Sequence, residues 1–180
     1  MIRPHQIGTS ECGTWQGTHE CPYGSLERDR GESLTDTDCF VCGKHALGMA
    51  VPGGIIYEDD LVYAGHILPP DLVDVYLGYL MVEPKRHVAG LGALTDNEAA
   101  ALGLVVNNLA QVLKTIEKAE HIYSFVLGDD VPHLHIHLVP RYPGAPREYL
   151  GIRASQWPDA PRGGIDEIAA VCDRLRRALS

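Results

Sequence analysis

Two stretches of the chain carry apolar residues at helical spacing. In the first, a polar start at residues 95–98 precedes Leu102, Val105, Val106, Leu109, Leu113 and Ile116. This spacing predicts a long amphipathic helix that ends near Ala119. Thr95 and Glu98 have the spacing of a capping box, in which each side chain accepts a hydrogen bond from the other residue's backbone N–H. The second stretch predicts a C-terminal helix and consists of Ile165, Ile168, Cys172, Leu175 and Leu179.

Shorter apolar and alternating runs predict an antiparallel sheet. Residues 55–57 and 61–63 flank an acidic triplet, a pattern typical of a hairpin. Residues 76–82 predict a buried strand that Pro84 ends. Two more strands are predicted over residues 121–127 and 133–139, joined by a turn at 128–130. Together these elements predict an α+β fold, with a sheet of about five strands covered by a long central helix and a C-terminal helix.

The first 36 residues have no sustained helix or strand period. We expect residues 1–36 to form a flexible N-terminal extension and residues 37–180 to form a single domain, with its C-terminal loop and helix over 143–180. Cys12, His19 and Cys21 lie close together in the extension and could bind a metal. Accidental clustering in a disordered tail is the favoured interpretation.

Composition narrows the classes of function. The 180 residues are 45% hydrophobic, which suffices for a core, and the net charge is −9. This charge argues against nucleic-acid partners and against a basic membrane patch. No apolar run approaches the roughly 20 residues that cross a bilayer, and residues 1–18 lack a signal-peptide pattern, so we expect a cytoplasmic protein with no membrane partner. Five cysteines, an odd number, further disfavour a disulfide framework.

Three histidines alternate with apolar residues at His133, His135 and His137. On a strand, alternate side chains share one face, so the three rings would stand in a row. A purely structural role explains this row poorly, because every buried ring nitrogen needs a partner. A catalytic metal is a second interpretation, but rings on one flat strand do not converge easily. We favour the third, in which one neutral imidazole acts as a nucleophile and its neighbours orient it or handle protons.

Residues 133–139 resemble the His-x-His-x-His motif, followed by two apolar residues, of the histidine-triad (HIT) superfamily. Residues 78–88 are similar to that family's Gly-His-x-Leu-Val-x-Pro-Lys-x-His segment, and residues 94–98 resemble the Leu-Thr-x-x-Glu start of its helix. Cys39-Phe40-Val41-Cys42 is similar to the Cys-x-x-Cys opening of many bacterial members. The resemblance covers residues 38–142 and implies a HIT-like fold.

The resemblance also implies a function. It implies a nucleotide hydrolase or nucleotidyl transferase in which His135 attacks the α-phosphorus and forms a nucleotidyl-histidine intermediate, while His137 stabilises or protonates the leaving group. Dinucleoside polyphosphates and nucleoside phosphoramidates are the implied substrates, bound by His66, Ile67, Gly128 and His137, and the implied assembly is a homodimer. The alternative is a zinc-stabilised nucleotide-binding module without turnover.

A structural zinc ion is the one cofactor that we expect. The spacing of Cys39 and Cys42 lets two thiolates reach one tetrahedral ion. In zinc-bearing members of the family the remaining ligands resemble His87 and His133. Four protein ligands leave no open position for substrate, so the ion would be structural. His45 is a rival ligand that has no counterpart in the family pattern.

The sequence departs from the family pattern at three places. Gly128-Asp129-Asp130 replaces a Gly-Gln-Ser/Thr element that donates hydrogen bonds to phosphate, and Tyr79 stands where the family often has a histidine. His66-Ile67 occupies the position nearest to the usual ribose-binding acidic or amide residue, so the base preference stays open. The loop after the triad carries three arginines, which could supply positive charge to a leaving group or could be solvated surface residues: Arg141, Arg147 and Arg153.

Overall fold

The computed structural model describes residues 39–67, 73–129 and 131–180. The flexible extension over 1–36, its boundary with the domain and the alternative metal site at Cys12, His19 and Cys21 lie outside the described residues and stay predictions. Asp130 of the altered turn also lies outside them.

An antiparallel five-stranded sheet forms the centre of the fold, with the strand order β1-β2-β4-β6-β5. A separate small sheet pairs β3 with β7. This architecture confirms the predicted α+β class and the predicted five-stranded sheet. The strands, in chain order, are β1 Ile55–Glu58, β2 Val62–His66, β3 Val75–Tyr76, β4 Leu80–Pro84, β5 His121–Phe125, β6 Ile136–Arg141 and β7 Arg162–Gly163.

Three α-helices accompany the sheet in the described residues: α1 Phe40–Ala46, α2 Asp96–Ile116 and α3 Ile165–Leu179. The capping box is confirmed at the start of α2. The Thr95 hydroxyl accepts a hydrogen bond from the Glu98 N–H at 3.3 Å, and the Glu98 carboxylate accepts one from the Thr95 N–H at 2.8 Å. Helix α1 was not predicted, because its seven residues are too short to show a helical period.

The hydrophobic core lies between one face of the sheet and helices α2 and α3. The sheet contributes fully buried side chains from the alternate positions of its central strands, namely Val62, Ala64, Leu80, Val82 and Leu138. The inner positions of α2 and α3 meet them, among them Leu102, Leu109, Leu113, Ile168 and Leu175. The opposite face of the sheet is therefore free of these two helices and carries the polar side chains described below.

Among the described residues, helix α2 is long and apolar enough, by length and composition alone, to cross a membrane. Core helices of soluble proteins meet the same criterion, and Leu102, Leu109 and Leu113 of α2 are buried against the sheet. The absence of a membrane partner stays a prediction.

Two predicted strands have different bounds in the structure. The run over 76–82 is divided between β3 and β4, because Gly78 adopts a φ of +75°, outside the extended range. The histidine segment is extended only from Ile136, where β6 begins. Ahead of it the chain turns, since the His133 N–H donates to the Val131 carbonyl at 2.8 Å. The strand predicted over 133–139 therefore begins later in the structure, while Leu134, Ile136 and Leu138 still pack toward the core, as their alternation with the three histidines predicts.

Candidate active site and metal centre

The sheet face opposite the helices carries a row of neighbouring residues across four strands. The strand registers place Gly65 opposite Met81, Met81 opposite His137, and His137 opposite Phe125. Residues directly opposite each other on paired strands project to the same face. His137 therefore lies within this row, with Gly65, which has no side chain, at one end of it.

His135 is held in one tautomer by the backbone. Its Nδ1 lies 2.7 Å from the His133 carbonyl oxygen. A carbonyl oxygen can only accept, so Nδ1 carries the proton and the lone pair is on Nε2. The side chain is 9% exposed, and its ring centroid lies 5.0 Å from that of His137. Nε2 has no hydrogen-bond partner among the described residues, and a fixed ring with an unoccupied Nε2 lone pair is the arrangement that a histidine nucleophile requires.

His137 is held between two aromatic side chains. The Tyr79 hydroxyl lies 2.7 Å from Nδ1 of His137, and the Phe125 ring stacks on the imidazole at a centroid distance of 4.8 Å. Burial, followed by the nearby His135, lowers the pKa of His137 to about 4, so the ring is neutral near pH 7. Its Nε2 is buried and has no hydrogen-bond partner among the described residues. This nitrogen therefore has an unsatisfied hydrogen-bonding position.

The four predicted metal ligands come together at one point. One ligand atom from each of Cys39, Cys42, His87 and His133 lies within 4.8 Å of the other three. The Cys42 Sγ is 3.4 Å from Nδ1 of both histidines, and the Cys39 Sγ is 3.5 Å from Nδ1 of His133. In a tetrahedral zinc site, bond lengths of about 2.0–2.3 Å place neighbouring ligand atoms roughly 3.3–3.8 Å apart. The spacing of these atoms fits such an ion.

His133 presents the correct ring nitrogen to this cluster. Its Nε2 lies 2.9 Å from the Pro84 carbonyl oxygen, so Nε2 is the protonated nitrogen and Nδ1 has the lone pair. The rival ligand His45 points elsewhere. Its Nε2 lies 2.9 Å from Oε2 of Glu83, outside the four-residue group.

A cavity of about 130 Å³ adjoins His135. Strands β2 and β4 form its floor, and helix α1 contributes one wall. Its lining includes His66 and Ile67, as the binding-site prediction requires, but among the described residues Gly128 and His137 are not part of it. The remaining lining residues are Phe40, Val41, Lys44, Val51, Tyr63, Gly65, Met81, Glu83 and Val131.

His66 uses both ring nitrogens within the protein. Its Nδ1 donates to the Ile67 carbonyl oxygen at 3.1 Å, and its Nε2 accepts from the Gly78 N–H at 3.1 Å. Burial lowers its pKa, and the residue is only 3% exposed. The substrate-binding role predicted for His66 stays a prediction. The two contacts occupy both ring nitrogens, so neither nitrogen is free to bind a ligand.

The sequence matches the model of one protein family over more than half of its length, at residues 49–144, and that family is described as the HIT domain. The chain belongs to the HIT domain family. The resemblance found in the sequence motifs is thereby confirmed.

Individual relatives of this HIT-domain protein include nucleotide-processing enzymes. It is 34% identical over 97 residues to the AP-4-A phosphorylase of Mycobacterium tuberculosis, covering 48% of this chain and 49% of the relative. It is 30% identical over 110 residues to the bifunctional bis(5'-adenosyl)-triphosphatase/adenylylsulfatase of Arabidopsis thaliana, covering 57% of this chain and 59% of the relative. The chain thus spans about half the length of these relatives.

Solved structures confirm the fold. A Zn-bound histidine triad family protein from Mycobacterium smegmatis superimposes with a TM-score of 0.59 at 22% sequence identity. The superposition covers 81% of this chain and 95% of that protein. The HIT-like architecture predicted from the motifs is therefore the architecture of the chain.

Two charged residues of the cavity, Lys44 and Glu83, were not predicted from the sequence of this HIT-domain protein. Lys44 lies on the unpredicted helix α1, and Glu83 lies on the cavity face of β4. Glu83 interrupts an apolar strand, and an acidic residue in such a place could have been recognised from the sequence alone. Of the three arginines considered after the triad, Arg141 forms an ion pair with Glu120 at 3.5 Å.

Proposed function

We propose that this HIT-domain protein is a nucleotide hydrolase or nucleotidyl transferase that works at the α-phosphorus through His135. The observation that carries the proposal is the hydrogen bond from His135 Nδ1 to the His133 carbonyl, which leaves the Nε2 lone pair free beside a cavity. The activities named for the Mycobacterium tuberculosis and Arabidopsis thaliana relatives also support it.

The reaction would proceed in two displacements. Nε2 of His135 attacks the α-phosphorus, an N–P bond forms, and the bond from phosphorus to the leaving group breaks with its electron pair on the leaving atom. Water, or another acceptor in a transferase, then attacks the same phosphorus and breaks the N–P bond. The products of hydrolysis are a nucleoside monophosphate, the protonated leaving group and regenerated His135.

His137 would assist at the leaving group. If the Tyr79 hydroxyl donates to Nδ1, the ring proton of His137 is on Nε2, the nitrogen that has no protein partner. An Nε2–H can donate a hydrogen bond to a phosphate oxygen or to the departing atom. Because the low pKa keeps His137 uncharged near pH 7, this contribution is a hydrogen bond from a neutral imidazole.

Zinc is the proposed cofactor, and its role is structural. Cys39, Cys42, His87 and His133 supply two sulfurs and two nitrogens, the donor set of many structural zinc sites. The Mycobacterium smegmatis neighbour is itself described as Zn-bound. With four protein ligands the ion fixes positions, and His133 in turn holds His135 through its carbonyl oxygen. A homodimer and a cytoplasmic location are proposed from the family resemblance.

A nucleotide-binding module without turnover is the second candidate. The observation that favours it is the replacement of the Gly-Gln-Ser/Thr element by Gly128-Asp129-Asp130. Asp129 is exposed, so its carboxylate is solvated. A carboxylate in this turn supplies no hydrogen-bond donor to phosphate and would repel it.

Turnover measurements separate these possibilities. Wild type, His135→Ala and His121→Ala would be assayed with diadenosine polyphosphates, an adenosine phosphoramidate and a sugar nucleotide. His121 is an exposed histidine at the start of β5 and serves as the matched control. We expect activity in wild type and His121→Ala and none in His135→Ala. Activity that survives in His135→Ala would refute the mechanism, while binding without turnover in wild type would establish the module. Loss of activity within minutes of adding a chelator would indicate a catalytic metal.

A further inference from the structure

Glu83 is a buried acid on the cavity face of the sheet. It lies on β4 directly opposite Tyr63 of β2, and it is only 3% exposed. Burying a carboxylate is costly unless partners compensate for the lost water. A carboxylate buried at this position therefore requires compensating partners, and the neighbouring residues supply them.

The two carboxylate oxygens of Glu83 have different partners. Oε2 accepts hydrogen bonds from Nζ of Lys44 at 2.6 Å and from Nε2 of His45 at 2.9 Å. Oε1 accepts no hydrogen bond from any residue that the structure describes. Burial alone would raise the pKa of Glu83, but the hydrogen bonds from His45 and Lys44 and the charge of Lys44 outweigh it and hold the pKa below its usual value. Oε1 is therefore an unused acceptor on an ionised group.

The cavity beside this acceptor has the size of one ring. Sites that enclose whole small molecules have volumes of about 300–1,000 Å³, whereas this cavity measures about 130 Å³. Gly65, Ile67 and Met81 give it apolar or side-chain-free walls, and His135 adjoins it. It can thus hold part of a nucleotide, with the remainder outside.

The unpaired acceptor of Glu83 determines which part of the nucleotide can enter the cavity. Lys44 balances the charge of Glu83 at Oε2, but a phosphate oxygen at Oε1 would set two acceptors against each other, whereas a neutral N–H or O–H group can donate to Oε1. A nucleoside offers such groups in the amino group of its base and in its ribose hydroxyls. The phosphates would then lie away from Glu83, on the side of His135 that faces His137.

We propose that Oε1 of Glu83 accepts a hydrogen bond from a neutral donor of the nucleoside and so determines which nucleosides the protein accepts. This inference rests on the proposed function, since it requires the cavity to hold the nucleoside of the nucleotide that His135 attacks. The donor is either the base amino group or a ribose hydroxyl, two sources of the same chemistry that the experiment below distinguishes.

The substitution Glu83→Gln tests this role sharply. Lys44 and His45 both donate to Oε2, so they will hold the amide oxygen of the glutamine on their side. The amide NH₂ must then face the cavity, where it replaces an acceptor by a donor. The substitution therefore inverts the hydrogen-bonding character of the cavity with almost no change in shape.

Binding, measured by calorimetry without any turnover, is the readout. The parent ligand is the nucleotide that wild type binds most tightly among AMP, GMP and CMP, whose bases all carry an amino group. Its counterparts lack the base amino group, the 2'-hydroxyl or the 3'-hydroxyl. Glu58→Gln is the control, because Glu58 pairs with Lys85 at 2.7 Å in a half-exposed position outside the cavity.

We expect one counterpart to bind wild type and Glu58→Gln about ten- to a hundredfold more weakly than the parent, as removing a hydrogen bond to a charged group predicts. That counterpart identifies the donor. In Glu83→Gln the parent ligand should bind no more tightly than that counterpart. The inference is overturned if all counterparts bind wild type like the parent, or if the same discrimination persists in Glu83→Gln.

Two other outcomes also have a clear interpretation: a Glu83→Gln variant that does not fold, and failure of the proposed function itself. If Glu83→Gln fails to fold because Lys44 loses its partner, the wild-type panel alone decides, since equal binding of all counterparts still overturns the inference. Failure of the proposed function would look different. It would appear as turnover that survives in His135→Ala, or as no binding of any of the three nucleotides, and the latter result would overturn both proposals.

Discussion

The hydroxyl of Tyr79 lies 2.7 Å from Nδ1 of His137, and the two side chains come from neighbouring parts of the sheet, 58 residues apart in the chain. Burial raises the pKa of Tyr79 to about 12, so the phenol keeps its proton throughout the neutral range. Here a permanent hydroxyl faces the third histidine of the triad.

Tyr79→Phe should slow catalysis without unfolding the protein. Loss of one neutral hydrogen bond corresponds to about 0.5–1.5 kcal/mol, so kcat should fall roughly two- to tenfold with little change in KM. The fall should be larger for substrates with poor leaving groups, which need the His137 proton most. Steady-state kinetics on two leaving groups measure this. Tyr57→Phe is the control, because it removes a 2.7 Å hydroxyl hydrogen bond to Asp59 in the first hairpin. An unchanged kcat with both leaving groups would contradict the role given to Tyr79.

Cys39→Ser should release the metal and destabilise the domain. A structural zinc ion contributes folding free energy directly, so we expect a loss of several kcal/mol and a fall in Tm of about 10 °C or more. Elemental analysis and calorimetry measure the two effects. His45→Gln should keep the full metal content, because Nε2 of His45 bonds to Glu83 and His45 is not one of the four clustered ligands. Unchanged metal content and melting in Cys39→Ser would show that the zinc assignment is wrong.

Acid should destabilise the fold partly through His137. Its pKa is about 4 in the folded state and about 6.5 when unfolded, mainly because the ring is buried. Above pH 6.5 the ring is neutral in both states and contributes no pH dependence. Between pH 6.5 and 4 only the unfolded chain takes up the proton, so stability falls as the pH falls, and below about pH 4 the loss is complete.

Urea unfolding of wild type and His137→Asn at pH 7, 6, 5 and 4.5 measures this contribution. The decline should be shallower in His137→Asn, with a difference of roughly 2 kcal/mol at the acid end. Acid release of the metal affects both proteins and cancels in the comparison. Parallel curves for the two proteins would mean that His137 titrates normally in the folded state.

Gly78→Ala should destabilise the fold at the point where β3 and β4 separate. Gly78 has a φ of +75°, and an added Cβ would lie 2.9 Å from the Tyr142 hydroxyl and 3.2 Å from Cγ of Pro140. We expect a loss of about 2 kcal/mol from strain and overpacking. Gly103→Ala, in the exposed middle of α2 with no atom within 4 Å, should instead stabilise by about 0.5–1 kcal/mol. Equal effects of the two substitutions, measured by chemical denaturation, would argue against this account.

Local signals in the sequence predicted the elements that local interactions determine. The capping box of Thr95 and Glu98, the stripe of α2 and the first hairpin all depend on residues a few positions apart. The division of the strand at Gly78 was missed because it depends on a φ that apolar periodicity does not reveal. The bounds of β6 were missed for a different reason, since the turn at His133 is linked to contacts with Pro84 and Val88, distant in the chain.

The functional site shows the same difference between residues that local motifs predict and features that depend on contacts distant in the chain. Motif spacing predicted the metal ligands, and the structure places them within reach of one ion. It also predicted His135 and His137 as the chemical residues, but neither their tautomers nor the Phe125 stack could be derived from spacing. Glu83 was missed because its importance depends on a helix, α1, that has too few residues to leave a periodic signal.

His133 makes three contacts that tie together distant parts of the chain. Its Nδ1 faces Cys39 from 94 residues away, its Nε2 donates to the Pro84 carbonyl, and its own carbonyl oxygen accepts a hydrogen bond from Nδ1 of His135. The tautomer of His135 is thus set by a residue whose own position depends on contacts with distant parts of the domain. A partly folded chain with His133 out of place would hold every residue of the triad but lack the fixed orientation of His135 on which the proposed chemistry depends.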